Sequence, residues 1–163
     1  MVEGGTASLA DRMAFHKVPA VSVAVIQGGK IDWARGFGVL EAGQKPAITP
    51  TTLFQAASIS KPVAATGAMV LVHEGKLGLD DDVNTHLRSW KIPPSDAAEG
   101  KPVTLRLLLG HAAGFNVHGF PGYAAGAPVP TLRQVLDGKP PTNTPPIRIA
   151  AKPGTKYEYS GGG

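Results

Sequence analysis

Two apolar runs joined by a pair of glycines constrain this chain more than any other feature. Ala20 to Ile26 (AVSVAVI) is β-branched and almost wholly apolar, the pattern expected of a strand buried on both faces. Gln27-Gly28-Gly29-Lys30 follows, and adjacent glycines reach the positive φ angles that a tight hairpin turn demands. Ile31 to Val39 (IDWARGFGV) returns as the second strand, and simple alternation puts Ile31, Trp33 and Phe37 on one face. Gly36 and Gly38 within it mark a bulge or a close backbone approach. The hairpin, over about 20–39, commits this part of the chain to antiparallel sheet.

The rest reads as helix and loop, so the expected class is α+β. Residues 6–17 form a short helix, with Leu9 and Met13 on one side, Phe15 pointing away and Pro19 ending it. Residues 40–53 are a link broken by Gly43, Pro46 and Pro50. A helix then runs from near Ser58 to about Glu74. Pro62 is tolerated there because the first helical N–H groups have no partner inside the helix. Its stripe of Val63, Ala64, Gly67, Val70 and Leu71, widened by Met69 and Val72, assigns it to a core, and Gly75 caps it. The next helix starts within Asp80-Asp81-Asp82. Calcium-loop spacing is absent from these three carboxylates, which favours helix capping over a cation site. Residues 91–103 are a Pro-rich loop, Thr104 caps a helix ending near His111 and Gly114, and residues 115–130 are loop again. Thr131 caps a brief helix, Leu132 to Leu136, that Gly138 stops.

Composition removes several function classes. With 163 residues the chain suits one domain, burying roughly 70% of its unfolded surface. The net charge of +4 comes from lysines and arginines scattered singly, with no basic stripe for a phosphate backbone, so nucleic acid is not an expected partner. Without cysteine there are no disulfides or Cys-metal sites. None of the five histidines pairs with another at metal-ligand spacing, so they read as structural or solvent-facing, and no metal or cofactor is expected. No run is long enough for a membrane span. Met1-Val2-Glu3-Gly4-Gly5 lacks the features of a signal peptide, so the default location is cytoplasmic, or periplasmic or secreted if a signal was removed.

The candidate chemistry lies in Phe54-Gln55-Ala56-Ala57-Ser58-Ile59-Ser60-Lys61-Pro62. On a helix, Ser58 and Lys61 share a face about one turn apart. A serine hydroxyl is a poor nucleophile until a base takes its proton, and a lysine one turn away is placed to help. The tetrad alone is weak evidence, and by itself it favours a helix start carrying a solvated lysine.

The order of features resembles a known family. The hairpin, Ser58-Ile59-Ser60-Lys61-Pro62, and Leu71-Val72-His73-Glu74-Gly75-Lys76-Leu77-Gly78-Leu79-Asp80-Asp81 look like the serine β-lactamase and penicillin-binding-protein superfamily. Within it, the class C β-lactamase-like esterases and D-aminopeptidases are the most similar branch. Thr104 to Phe115 (TLRLLLGHAAGF) resembles that branch's stretch ending in His-Thr-Ser-Gly-Leu. Pro153 to Gly161 (PGTKYEYSG) resembles its Pro-Gly…Tyr-Ser-Asn segment.

The resemblance implies a β-lactamase-like fold, with a helical region packed on an antiparallel sheet. Residues 1–163 would be the N-terminal part of one domain: the hairpin at about 20–39, a nucleophile helix at about 58–74, and a helical and loop region over 75–163. It implies that Ser58 is acylated, that Lys61 helps deprotonate it, and that Tyr159 serves with the lysine as general base and later as proton donor to the leaving group. A cation beside a phenol favours phenolate, so the pair is physically coherent. The Ser58 backbone N–H, at a helix N-terminus, would be one oxyanion donor. Tyr157 occupies a place that is usually a buried aromatic.

Two departures stand out. Gly161 replaces the asparagine whose amide usually bonds the lysine and the substrate's amide carbonyl, which favours an esterase over a lactamase. The family's third motif, Lys-Thr-Gly or His-x-Gly, is absent from these residues and by the resemblance would lie well downstream of Gly163, as would the remaining strands and the second oxyanion donor. The expectation is therefore a part of a longer protein, with little hydrolase activity alone. Its exposed hairpin edge and apolar helix face would meet the missing C-terminal part or another copy. The expected function is acyl-enzyme hydrolysis of short-chain carboxylic esters. A β-lactamase, a D-amino-acid peptidase and a non-catalytic penicillin-recognising module are the alternatives.

Overall fold

The computed structural model describes residues 6–45 and 47–163, so Pro46 and the Met1–Gly5 stretch read above for a signal lie outside the described residues. The fold is α+β. The chain divides between Ala57 and Ser58 into two compact units.

In the first unit, α1 (Leu9–Phe15) starts where the Ser8 hydroxyl accepts the Asp11 N–H at 3.1 Å. β1 (Ala20–Gln27) and β2 (Lys30–Gly38) form the antiparallel hairpin, closed by Gly28 and Gly29 at φ +57° and +74°. Positive φ at both central residues gives the turn whose twist matches the strands. Val21, Val23 and Val25 are half-buried, while Ser22, Ala24 and Ile26 are exposed. β1 is thus covered on one face, not on both, because among the described residues only two strands pair and only one side of them is packed over.

The register corrects a second expectation. Val25 pairs with Trp33 but Ile26 pairs with Ile31, so Asp32 is a bulge residue. Directly paired residues share a side, so Ile31 leaves the face of Trp33 and Phe37 and joins exposed Ile26. Gly36 and Gly38 are close approaches and not the bulge. A Cβ on Gly36 would lie 2.8 Å from Ile48 Cγ1, and one on Gly38 would lie 2.1 Å from the Pro19 carbonyl oxygen. Their bareness lets Ile48 settle on β2 as a buried residue of this unit.

The second unit begins at Ser58, within a 3₁₀ turn, Ala57–Ile59, that leads into α2 (Ser60–His73). Pro62 falls in the first turn, and Gly75 at φ +69° closes the C-terminus, with Lys76 N–H donating to the Leu71 carbonyl at 2.9 Å. The expectation that α2 lies in a core is corrected, because none of its residues is buried and Val63 is 71% exposed. Its apolar positions are spread around the helix: Ala65, Ala68 and Val72 are half-buried on one side, while Val63, Met69, Val70 and Leu71 are exposed.

The core is built instead from Val83, Ile92, Ala98, Val103, Ala113, Phe115, Val117, Ile147 and Ile149, mostly residues of irregular segments. Three short helices frame it. Asp82 caps α3 (Val83–His86), Thr104 caps α4 (Leu105–Leu109), and Thr131 with Gln134 forms a capping box on α5 (Leu132–Asp137). Side chains add to the backbone bonds between these segments, among them Asn116 N–H to the Arg148 carbonyl at 3.1 Å. Asn116 accepts from Arg148 N–H at 2.9 Å and donates to the Pro146 carbonyl at 3.0 Å, which seats Phe115 and Val117 against Ile147 and Ile149.

The aspartate triplet is accounted for by structural bonds. Asp80 pairs with Arg106 through two contacts of 2.7 Å, which holds its carboxyl below the usual range. Asp81 accepts from Gly78 N–H and faces His86, and Asp82 caps α3.

Candidate active site

Ser58 sits in the 3₁₀ turn ahead of α2, after Ala57 in the left-handed region at φ +46°. Lys61 is the second residue of α2, so the turn and the first helical turn present both side chains on one side. The Lys61 ammonium donates to Ser58 Oγ at 3.2 Å. Tyr159, 101 residues from Ser58, brings its hydroxyl to 2.6 Å from Ser58 Oγ. The Lys61 Nζ lies 4.9 Å from the centre of the Tyr159 ring. The three residues singled out in the sequence therefore meet, and all lie in the second unit.

Tyr159 is held by backbone on both sides of it. Glu158 N–H donates to the His111 carbonyl at 2.8 Å, and Gly161 N–H to the His118 carbonyl at 3.1 Å. Ser160 is buried. Its hydroxyl donates to the Val117 carbonyl at 2.8 Å and accepts the Gly162 and Gly163 N–H groups at 3.2 and 3.1 Å. Segments 111–118 and 158–163 are joined by these bonds, and Tyr159 projects from the seam.

His111 and His118 flank this tyrosine, which the sequence did not reveal. The His111 ring packs on the Tyr159 ring with centroids 4.6 Å apart, and its Nδ1 accepts the Ser160 N–H at 3.4 Å. His118 Nδ1–H donates to the Tyr159 carbonyl at 2.8 Å. Both histidines, expected from their spacing to be structural or solvent-facing, lie against the candidate site. The available signal was the Gly110-His111-Ala112-Ala113-Gly114 stretch, whose histidine takes φ +51°. Tyr157, expected as a buried aromatic, is 71% exposed and meets only the edge of His111, with centroids 6.0 Å apart.

The electrostatics have one clear direction. The Lys61 ammonium beside the phenol holds Tyr159 below the ordinary phenol range, the hydrogen bond with Ser58 acts the same way, and partial burial opposes them. A lysine ammonium is a donor only, so Ser58 Oγ accepts from Lys61; either hydroxyl can donate in the Ser58–Tyr159 bond, and when Tyr159 is a phenolate the serine is the donor. The arrangement can pass a proton from the Ser58 hydroxyl to a Tyr159 phenolate while Lys61 stabilises both oxygens.

The family model for β-lactamase matches residues 6–163. Penicillin-binding protein 4 of Amycolatopsis lactamdurans is 35% identical over 99 residues, covering 61% of this chain and 25% of that protein. Protein flp of Staphylococcus aureus (strain N315) is 28% identical over 97 residues, 60% of this chain and 19% of that protein. The octameric penicillin-binding protein homologue from Pyrococcus abyssi superposes with a TM-score of 0.66 at 28% identity, covering 93% of this chain and 34% of that one. The matched stretches thus span from about a fifth to about a third of these relatives.

Proposed function

The chain belongs to the β-lactamase family, and on that premise we propose that Ser58 is the acylated nucleophile of a serine hydrolase acting on short-chain carboxylic esters. The observation that carries the reading is the chain of contacts from Lys61 to Ser58 to Tyr159. Ser58 Oγ attacks the ester carbonyl carbon as its proton passes to the Tyr159 phenolate, and the carbonyl oxygen becomes an oxyanion. The Ser58 backbone N–H, at the approach to α2, is one proposed oxyanion donor. Collapse breaks the bond to the alkoxide, which takes the proton from Tyr159 and leaves an acyl-serine. Water then repeats the sequence and releases the acid.

Gly161 supports ester over amide substrates. It offers no amide to a substrate's amide carbonyl, in line with the class C-like esterase branch. The similarity to a penicillin-binding protein favours a second reading, in which a β-lactam or a D-amino-acid peptide acylates Ser58. Steady hydrolysis is a property proposed for the whole protein, with only slight turnover expected of these 163 residues, so the single acylation step is the informative one. The exposed apolar face of α2 supports a partner surface, for the remainder of a longer domain or for a second copy.

The test is the rate of Ser58 acylation by p-nitrophenyl butyrate and by benzylpenicillin, followed over about pH 6 to 10 around the titration of a phenol. We expect the ester to acylate faster, at a rate that rises with pH and levels off below the ordinary phenol value. Lys61→Met removes the cation that favours phenolate, so the rise moves to higher pH and the rate near neutrality falls by about 10² or more. An unmoved midpoint in Lys61→Met would contradict the proposed role of the lysine. Faster acylation by benzylpenicillin would replace the esterase reading with the second one.

A further inference from the structure

The peptide unit that follows Tyr159 is gripped at both of its edges by imidazole rings. Its carbonyl oxygen, from Tyr159, accepts from His118 Nδ1–H at 2.8 Å. Its N–H, from Ser160, donates to His111 Nδ1 at 3.4 Å. A carbonyl only accepts and a backbone N–H only donates, so this one unit requires a hydrogen on His118 Nδ1 and a bare Nδ1 on His111. The His118 bond is the shorter and the stronger of the two.

His118 is itself tied to the same stretch of chain. Its carbonyl accepts Gly161 N–H at 3.1 Å, so one residue binds the backbone on both sides of Ser160. At the far edge of the ring, Glu158 Oε1 lies 3.6 Å from Nε2, beyond hydrogen-bond length but near enough to set a carboxylate against that edge.

Packing alone does not fix the Tyr159 ring. It meets the His111 ring, yet the residue is still 39% exposed among the described residues. Which χ1 rotamer is open to a side chain depends on its own φ and ψ, and the ψ of Tyr159 is the torsion that turns the gripped peptide unit. The hydroxyl stands at the far end of the side chain, so a small turn of the backbone is magnified at the oxygen 2.6 Å from Ser58 Oγ. A misplacement of about 1 Å between reacting groups can cost about 10²-fold in rate.

We propose that His118 is a positioning residue for Tyr159: by holding the Tyr159 carbonyl it keeps the phenol oxygen within proton-transfer distance of Ser58. The inference rests on the Ser58 reading. His118 is exposed and has no place in the core, so replacing it deletes a bond without opening a cavity.

The test compares His118→Ala with His118→Asn in the 163-residue protein. Asparagine Nδ2 lies as many bonds from the backbone as histidine Nδ1, so it can still donate to the Tyr159 carbonyl. Two quantities are followed over about pH 6 to 10, around the titration of a phenol. One is the rate of acyl-Ser58 formation from p-nitrophenyl butyrate, read by intact mass. The other is the tyrosinate absorbance change that Tyr159→Phe removes, which needs no turnover. His118→Ala is expected to slow acylation near neutrality by about 10²-fold. It is also expected to move the Tyr159 titration upward, since the hydroxyl leaves Lys61 and Ser58, the two groups that hold it low. His118→Asn is expected to recover most of the rate and the native titration. A native rate in His118→Ala, or a slowed rate with the Tyr159 titration unmoved or with no recovery in His118→Asn, would overturn the inference and leave the Ser58 reading intact. Absence of acyl-Ser58 in the native protein would overturn the reading and the inference together.

Discussion

Replacing Tyr159 with Phe slows acylation of Ser58 by about 10² to 10⁴-fold and removes the rise of that rate with pH. The substitution takes away one oxygen, the atom 2.6 Å from Ser58 Oγ. The ring remains to pack on His111, and the backbone bonds of Glu158 and Gly161 do not involve the hydroxyl, so the surrounding structure is kept. Loss of rate with an unchanged circular dichroism spectrum therefore isolates proton transfer. The competing arrangement makes Lys61 alone the base. Its contact with Ser58 Oγ is the longer of the two, at 3.2 Å, and as an ammonium it donates to that oxygen and cannot accept from it. If Tyr159→Phe acylated as fast as the native protein, Lys61 would have to carry the proton. The measurement is the initial rate of p-nitrophenol release per mole of protein, limited to the first equivalent.

Gly114→Ala is expected to cost about 3 kcal/mol or more and to lower the melting temperature by about 10 °C or more. Gly114 has φ +77°, and a Cβ there would lie 2.2 Å from the Ala151 carbonyl oxygen, well inside contact distance. Neither partner can retreat cheaply. The Gly114 carbonyl accepts from Ala150 and Ala151 N–H at 2.8 and 3.1 Å, and its chain neighbours Ala113 and Phe115 are buried in the core. Relief of the clash must therefore pull the 113–117 and 147–151 segments apart. Gly119→Ala is the control, since nothing lies within 4 Å of a Cβ there, and it is expected to stay within about 0.5 kcal/mol. Thermal unfolding followed by circular dichroism compares the two, and equal melting temperatures would contradict the packing described for the second unit.

Features with a local physical signature were legible in the sequence. Gly28-Gly29 sits between two runs of β-formers and closes the hairpin, because glycine takes the positive φ of both turn positions without strain. Thr131 and Gly138 bracket α5, since a cap and a stop each act within one turn. Ser58, Lys61 and Tyr159 were found by motif resemblance, and their meeting over 101 residues was not derivable from spacing.

The features that were missed are nonlocal. The core draws on Ile92, Val103, Phe115 and Val117, which lie in irregular segments without period, so alternation and helical stripes could not find them. α2 has a helical apolar stripe, but burial depends on what covers it, and a stripe says nothing about that. The bulge at Asp32 adds one residue that alternation counts straight through, which moved Ile31 to the wrong face. His111 and His118 lack a metal-like spacing, yet the seam between segments 111–118 and 158–163 places both beside Tyr159.

The central claim is that Ser58 is a nucleophile activated by Lys61 and Tyr159. It is tested most directly by peptide mass spectrometry of the 163-residue protein after exposure to a fluorophosphonate. One covalent adduct is expected, on the peptide containing Ser58 and at that residue, and Ser58→Ala should abolish it. An unmodified Ser58, or an adduct that persists on another residue in Ser58→Ala, would contradict the account.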